Sequence, residues 1–504
     1  MNIPATSVSV SAWEDDPQSS PDAAPVPRPV PVLKHPRLGI VLAGEAPAPK
    51  RYRRPGPAFR YWNAAESLGR GVRFWVSLVP ADVRWPIGTD LTAVIDAGTD
   101  LNAYYDRRQI CFFHAPVNGD TVYSGESPDV LCHELGHAVL DALVPELWNT
   151  ASIETAALHE AFGDISAMLA ALELESVRTA VAAETRGQLS RSSRLSRLAE
   201  QLGWAIRQSH PDAVDRDCLR NAANSFFYAE PESLPPLAPA VVLSSEPHSF
   251  SRVFTAAWLD ALSGMAGVVR DAAVSDASTS GTTSAGLHNV ARDAGALLAR
   301  AVRLAPIASN YFAQVAAELL RADAALFRGR YRAALQRAFV GRGVLSAESA
   351  AETVAADART GGGNTGRPSR TRRAPGRRPS LPPALVRVPV NGATYGLQIT
   401  QVVAQGPQAG GGTGIASAAP DLGSLAAATP ERASRAFVED LLRRNRIDPG
   451  EFGAPGAARP RDGRTTHALE RHGRDIHLVR CLYHWRDEAA IPPAAPGQTR
   501  GRLY

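Results

Sequence analysis

Cysteine is scarce in this 504-residue chain: Cys111, Cys132, Cys218 and Cys481 are scattered and form no CxxC pair. That excludes a disulfide framework and a zinc ribbon, and the four are expected as reduced core thiols. Lysine is nearly absent. Only Lys34 and Lys50 interrupt an otherwise all-arginine set of basic residues, a bias that a GC-rich coding background explains better than selection for bidentate anion contacts. Nor is there an excess of one charge: 54 basic against 50 acidic residues leave +4, which argues against nucleic acid or a membrane surface as the partner. No 18 apolar residues run together, so a transmembrane helix is not expected. The opening MNIPATSVSVSAWEDDPQSSPD has neither a basic n-region nor an apolar h-region, so it does not read as a secretory signal. The expectation is a soluble, cytoplasmic chain, with leaderless export left open.

What is present is unevenly distributed. Apolar residues (44%) and charged residues (21%) are ordinary for a globular protein, yet glycine and proline crowd towards the two ends. APVPRPVPVLKHPRLG at 24–39 and APAPKRYRRPGP at 47–58 favour extended polyproline conformations, and residues 1–60 are expected to be a disordered arm that buries little core. Short β-rich runs follow, RFWVSLVP at 73–80, LTAVIDA at 91–97 and QICFFHA at 109–115, with Asn118-Gly119 as a turn before DTVYSG. After Ser127 the apolar period lengthens to three or four residues, predicting helices through 128–144, 153–173 and 248–267, then near 284–304, 309–325 and 330–340. Residues 359–383 hold seven arginines by position 378 and no acid, the composition of a disordered linker. A second linker-like stretch spans 404–420, before a short helix near 430–445, and residues 384–504 carry no interpretable motif. The chain therefore reads as a β-rich lobe followed by a helical lobe.

The most informative residues are His133-Glu134-Leu135-Gly136-His137. An i, i+4 histidine pair on a helix lies on one face, with imidazoles side by side at a separation that one tetrahedral ion bridges. Glu134 then points near the open coordination position, where it can take a proton from a water whose pKa zinc has lowered. Chance produces such a pattern in a chain of this length on the order of one or two times in a hundred. Gly136 argues against two incidental histidines: glycine costs roughly 1 kcal/mol inside a helix and makes sense where something packs closely.

Two histidines leave a zinc site one protein ligand short. The extended HExxHxxGxxH pattern fails, because Leu140 and Leu143 occupy its last two required positions. His159-Glu160-Ala161-Phe162-Gly163-Asp164 lies on the next apolar-periodic helix and places Glu160 and Asp164 on one face. Glu160 can supply the third ligand, and Asp164 can accept the free N–H of a ligating histidine.

The arrangement resembles the thermolysin-like gluzincin peptidases over roughly residues 70–345. DLNAYYDRRQICFF at 100–113 resembles the family's edge strand, implying that Asn102 and Ala103 hydrogen-bond an extended substrate backbone. SPDVLCHELGHAVLD at 127–141 resembles the helix that enters the zinc site. CLRNAANSFFY at 218–228 resembles the segment whose arginine holds a substrate carbonyl, a role that falls to Arg220. HSFSRVFTAAW at 248–258, starting 28 residues after Arg220, resembles the segment whose histidine stabilises the oxyanion, which falls to His248. Val130 and Leu219 match positions lining the primary side-chain pocket, which implies a preference for a large apolar residue after the scissile bond.

Several positions depart from the family pattern. The 22 residues between His137 and Glu160 contain no secure counterpart of the family's carbonyl-polarising tyrosine; Trp148 lies nearby, but an indole N–H cannot donate in the same way. Ala171 stands where a calcium-binding acid should fall and only Asp129 matches a calcium ligand, so Ca2+ is not expected. The acid partner of His248 is not at its usual offset, and Glu246 is the nearest substitute. The 60 to 70 residues before the β lobe leave no room for a long inhibitory propeptide.

The expectation is thus an α+β, thermolysin-like two-lobe zincin with the active site in the cleft. The units are a Pro-rich arm (1–60), a metallopeptidase domain (61–345), an Arg/Gly/Pro-rich linker (346–383) and a C-terminal region (384–504). One Zn2+ on His133, His137 and Glu160, with Asp164 behind His133, would serve an endopeptidase acting on a peptide or protein substrate. The alternatives are a gluzincin aminopeptidase, against which no GxMEN-type segment is found, and a zincin-fold scaffold without turnover. The arm and the C-terminal region are the places left for a protein partner.

Overall fold

The computed structural model describes residues 8–20, 22–275, 284–361, 384–408, 429–454 and 465–481. It is a mixed α/β structure with helices packed around several small sheets. The expected linker residues 362–383 and 409–420 lie outside the described residues; of the first linker, Ala347–Gly361 is helical.

The N-terminal residues correct the expectation of a loose arm. Strand β1 (Ser9–Ala12) pairs antiparallel with β2 (Val26–Pro29), and Val10, Ala12, Trp13 and Asp16 are buried. Prolines at 27 and 29 can sit in β2 because it has a single partner strand and leaves N–H positions that need no bond. The Trp13 backbone N–H donates to Asn63 Oδ1 at 2.8 Å.

After β3 (Ile40–Leu42) comes helix α1 (Pro57–Val76), which replaces the strand expected at 73–80. Phe59, Trp62, Ala65, Leu68, Val72 and Trp75 fall three or four residues apart and are buried, so RFWV is the end of a helical stripe. A short aromatic and β-branched run read alone cannot reveal that period.

The other expected strands form. β3, β4 (Leu91–Val94), β5 (Ala103–Tyr105) and β6 (Gln109–Phe112) make a sheet in the order β3-β4-β6-β5, with β5 antiparallel at its edge. β7 (His114–Val117) and β8 (Asp120–Tyr123) form a hairpin turned by Asn118 and Gly119, at φ 51° and 89°, the left-handed pair that a two-residue hairpin requires.

The helical part begins with α2 (Pro128–Leu143), capped by the Ser127 hydroxyl on the Val130 N–H and started by Pro128. α3 (Ile153–Ala171) packs along it. Gly136 and Gly163 allow this close approach: a Cβ at Gly136 would lie 2.8 Å from the Gly163 Cα and 2.7 Å from the Ser166 Cβ. From behind, Trp75 of α1 stacks on Phe162 with ring centroids 5.0 Å apart and donates to Ser166 Oγ at 2.8 Å.

α4 (Glu175–Thr185), β9 (Arg197–Leu198), α5 (Glu200–Arg207) and β10 (Arg220–Asn221) lead to the long α6 (Pro247–Ser275). α7 (Ser284–Leu304), α8 (Tyr311–Phe327), α9 (Arg332–Gly341) and α10 (Ala347–Gly361) complete the helical part.

The region without a motif has a fold. β11 (Ala384–Pro389), β12 (Gln401–Gly406), α11 (Pro430–Arg443), β13 (Ile447–Asp448), β14 (His467–His472) and β15 (Asp475–Arg480) give a five-stranded sheet in the order β11-β12-β15-β14-β13, with α11 on it. It is joined to the rest by backbone bonds, Ala151 N–H to Gln405 O and Gln408 N–H to Ile307 O, each 2.7 Å. One buried apolar cluster runs from Val10 through Phe162 and Phe254 to Phe437 and Leu469.

Candidate metal centre

α2 presents His133 and His137 one turn apart, with ring centroids 4.6 Å apart and ring planes at 88°. α3 brings Glu160 against both: its carboxylate oxygens lie 3.5 Å from His133 Nε2 and 3.7 Å from His137 Nε2. One donor atom each from His133, Glu134 and His137 falls within a 4.8 Å group. Behind His133, Nδ1 lies 3.0 Å from Asp164 Oδ1, which fixes the ring and leaves Nε2 turned towards Glu160.

Among the described residues, buried Glu134 Oε2 accepts no hydrogen bond, while Glu160 Oε2 faces the Nε2 atoms of His133 and His248 at 3.5 and 3.3 Å. A buried carboxylate oxygen without a donor is costly unless something of opposite charge faces it. Two imidazoles, a carboxylate and an orphaned acid beside them fit a zinc ion in their chemistry.

The surrounding charges set each group's state. Burial pushes the Glu134 carboxyl up to about 7, with His133 opposing and Glu160 adding to the rise. Burial also lowers His137 to about 3, leaving a neutral imidazole, the ligand form. Burial works against a charged His133, but Asp164 and Glu160 outweigh it and hold the ring up at about 10. Asp164 goes the other way: burial would raise it, yet Arg220 and His133 bring it down to about 2.

Arg220, the first residue of β10, directs Nη2 and Nε to Asp164 at 2.7 and 3.2 Å. Its fork therefore grips the carboxylate behind His133, and the carbonyl contact that resemblance implies would fall to what remains of the guanidinium. His248, at the start of α6, reaches Glu160 Oε2 with Nε2 at 3.3 Å and Glu246 Oε1 with Nδ1 at 2.7 Å. The substitute partner named from sequence is thus in contact with the ring.

The remaining candidates lie farther out. Asn102 and Ala103 sit at the edge strand β5, where the Ala103 N–H is taken by Asn102 Oδ1 at 2.9 Å. Val130 is buried in the first turn of α2, and Leu219 is half-buried next to Arg220. A cavity of about 520 Å³ is lined by Asn224, Phe227, Asp260 and Arg337 and by none of these residues. Trp148 is buried, edge-on to His159 at 6.1 Å, and its indole N–H has no partner among the described residues.

Some participants were not read from the sequence. Arg480 of β15 lies over the Trp148 ring at 4.0 Å and donates to its carbonyl oxygen at 3.2 Å. Arg444 approaches Glu246 Oε1 at 3.7 Å. A second carboxylate group, Asp16, Asp129 and Glu200, is fully buried, with oxygens within 4.8 Å of one another. Each of these joins residues at least about seventy positions apart, with no local spacing to announce it.

No family model matches the chain, and no curated protein matches it. Ten solved chains match. One is the precursor of protealysin, a metalloproteinase from Serratia proteamaculans, 15% identical, aligned over 67% of this chain and 88% of that one with a TM-score of 0.37. Among the described residues no helix is long and apolar enough to cross a membrane.

Proposed function

We propose that the chain is a zinc-dependent endopeptidase, a reading carried by the convergence of His133 Nε2, His137 Nε2 and the Glu160 carboxylate beside the orphaned Glu134 oxygen. His133, His137 and Glu160 would hold the ion, with Asp164 orienting His133. The chemistry that zinc supplies when bound is to acidify a water and polarise the scissile carbonyl.

Glu134, held near neutrality by burial, accepts the proton of the attacking water at Oε2 and returns it to the leaving amine. His248, anchored on Glu246, donates to the oxygen on which negative charge develops. Arg220 stiffens Asp164 and so the His133 ring. The peptide would lie along the β5 edge at Asn102 and Ala103, as an added strand. Val130 and Leu219 would favour a large apolar residue after the scissile bond; cleavage-site profiling without that preference removes this part.

Zinc content and a broad peptide-library digest, each with and without a chelator, test the reading. Stoichiometric zinc and chelator-sensitive internal cleavage are expected. Zinc without cleavage would point to a scaffold, and removal of single N-terminal residues to an aminopeptidase.

A further inference from the structure

His248 is held at both ring nitrogens by carboxylates, Glu160 on Nε2 and Glu246 on Nδ1, and by little else. Its side chain is 57% exposed, and it follows a stretch, 222–246, that contains only one short 3-10 turn. An imidazole that must donate to a developing charge needs its ring plane fixed, because a donor displaced by an ångström loses much of its effect. Among the described residues the carboxylate on its Nδ1 is Glu246, at 2.7 Å, so whatever fixes Glu246 helps to fix the ring.

Two side chains of α11 and its C-terminal end reach this point from the C-terminal sheet region. Asp440 accepts from the Ser245 hydroxyl at 2.8 Å, and Arg444 brings Nη1 to 3.7 Å from Glu246 Oε1. Asp440 and Arg444 are one helical turn apart and bonded to each other, Arg444 Nε to Asp440 Oδ2 at 2.7 Å. Both are buried, with side chains 4% and 5% exposed. Farther back along the same segment, Arg432 pairs with Glu232. The helix therefore grips the irregular segment at the two residues immediately before Pro247 and His248.

We infer that Arg444 is a positioning residue for His248, acting through Glu246, and that the C-terminal region is thereby a working part of the active site. The inference rests on the peptidase reading for its kinetic consequence but not for its structural one. Arg444 brings a fixed cation to Oε1, the same carboxylate oxygen that faces His248 Nδ1, and so holds that oxygen in place beside the ring. Without it, Glu246 keeps the Ser249 N–H at 3.0 Å, the imidazole of His248 and the charge of Arg220, which acts on it without a direct contact.

The test uses the full chain and the variants R444Q, R444K, E246Q, the double variant R444Q/E246Q, and R435Q as a control on the exposed side of α11. Expected is a fall of about tenfold in kcat for R444Q, the size typical when an outer partner of an active-site group is lost, with KM and zinc content little changed. R444K should recover most of it, and the double variant should match E246Q alone, as two members of one chain of contacts do. By histidine-selective NMR on zinc-depleted protein, the His248 Nδ1 proton signal should be present in the wild type and in R435Q and lost or broadened in R444Q.

Additive losses in the double variant, or a fall in thermal stability with the Nδ1 signal intact, would make Arg444 a packing residue and overturn the inference. So would an unchanged kcat. If the wild type hydrolyses no peptide, the peptidase reading falls while the NMR arm still decides the Arg444 contact.

Discussion

A Cβ placed on Gly163 would come within 2.6 Å of the His133 imidazole. The His133 ring on α2 therefore lies directly on the backbone of α3, one turn from where Glu160 leaves that helix. The separation between α2 and α3 is set by the absence of two side chains, at Gly136 and Gly163.

The variants G163A and G136A should separate ligand geometry from helix packing. G163A pushes on the His133 ring itself, so zinc affinity should fall while the helices stay paired. G136A meets the Gly163 Cα and the Ser166 Cβ instead, and overpacking of that kind costs about 1–3 kcal/mol. Zinc titration and urea denaturation read the two effects. Wild-type affinity in G163A would mean that the ring moves aside freely.

For Glu134→Gln the expectation is intact zinc binding and lost hydrolysis. The amide keeps the side-chain volume but cannot take a proton, and removal of a general base costs about 10²–10⁴-fold in rate. Its neighbours His133 and His137 keep their Nε2 atoms beside Glu160, so metal content should match the wild type. Retained peptide cleavage would refute the assignment of Glu134.

How far the sequence could be read follows from the reach of each signal. HExxH and the Glu160–Asp164 pair are local helical spacings, and the structure brings their side chains together. The Asn118-Gly119 hairpin and the helices at 284–304 and 309–325 were legible for the same reason: turn chemistry and a 3.6-residue period lie within one window. RFWV at 73–76 was misread because four residues cannot distinguish a strand from the end of α1. Proline density hid the burial of Val10 and Trp13, which depends on Asn63 and other partners fifty or more residues away. Arg444 on Glu246 and Arg480 on Trp148 are contacts across about two hundred and three hundred residues, and no pattern within α11 or β15 announces them.

The buried carboxyl group near the base of α2 predicts a pH effect on stability. Asp16 is raised from 3.8 to about 6, chiefly by burial, with the Ser127 hydroxyl and the Gln18 and Gln201 N–H groups pulling the other way. A carboxyl raised on folding holds its proton more tightly in the fold. Its contribution is therefore fully present below 3.8 and lost as pH rises through about 6. The Asp16→Asn variant should lack the Asp16 part of that decline, the raised carboxyls of Asp129 and Glu200 beside it keeping theirs, so the difference in urea midpoint should shift in favour of the variant across this window. At about 1.4 kcal/mol per unit, the change is on the order of 2–3 kcal/mol. Parallel curves for the two proteins would show that Asp16 does not titrate there.

Trp13 tests whether the first residues belong to the fold. Its ring is 4% exposed and lies 5.5 Å from the Arg54 guanidinium, while its backbone N–H is taken by Asn63 of α1. α1 in turn carries Trp75, which packs on Phe162 of α3, so the loss of Trp13 should be felt as lost global stability and not as local fraying. Truncating a buried tryptophan to alanine typically costs about 3–5 kcal/mol. Trp13→Ala should accordingly lower the urea midpoint of the whole protein in a single cooperative transition. A variant as stable as the wild type would restore the picture of a loose proline-rich arm and remove the N-terminal strand pair from the working structure.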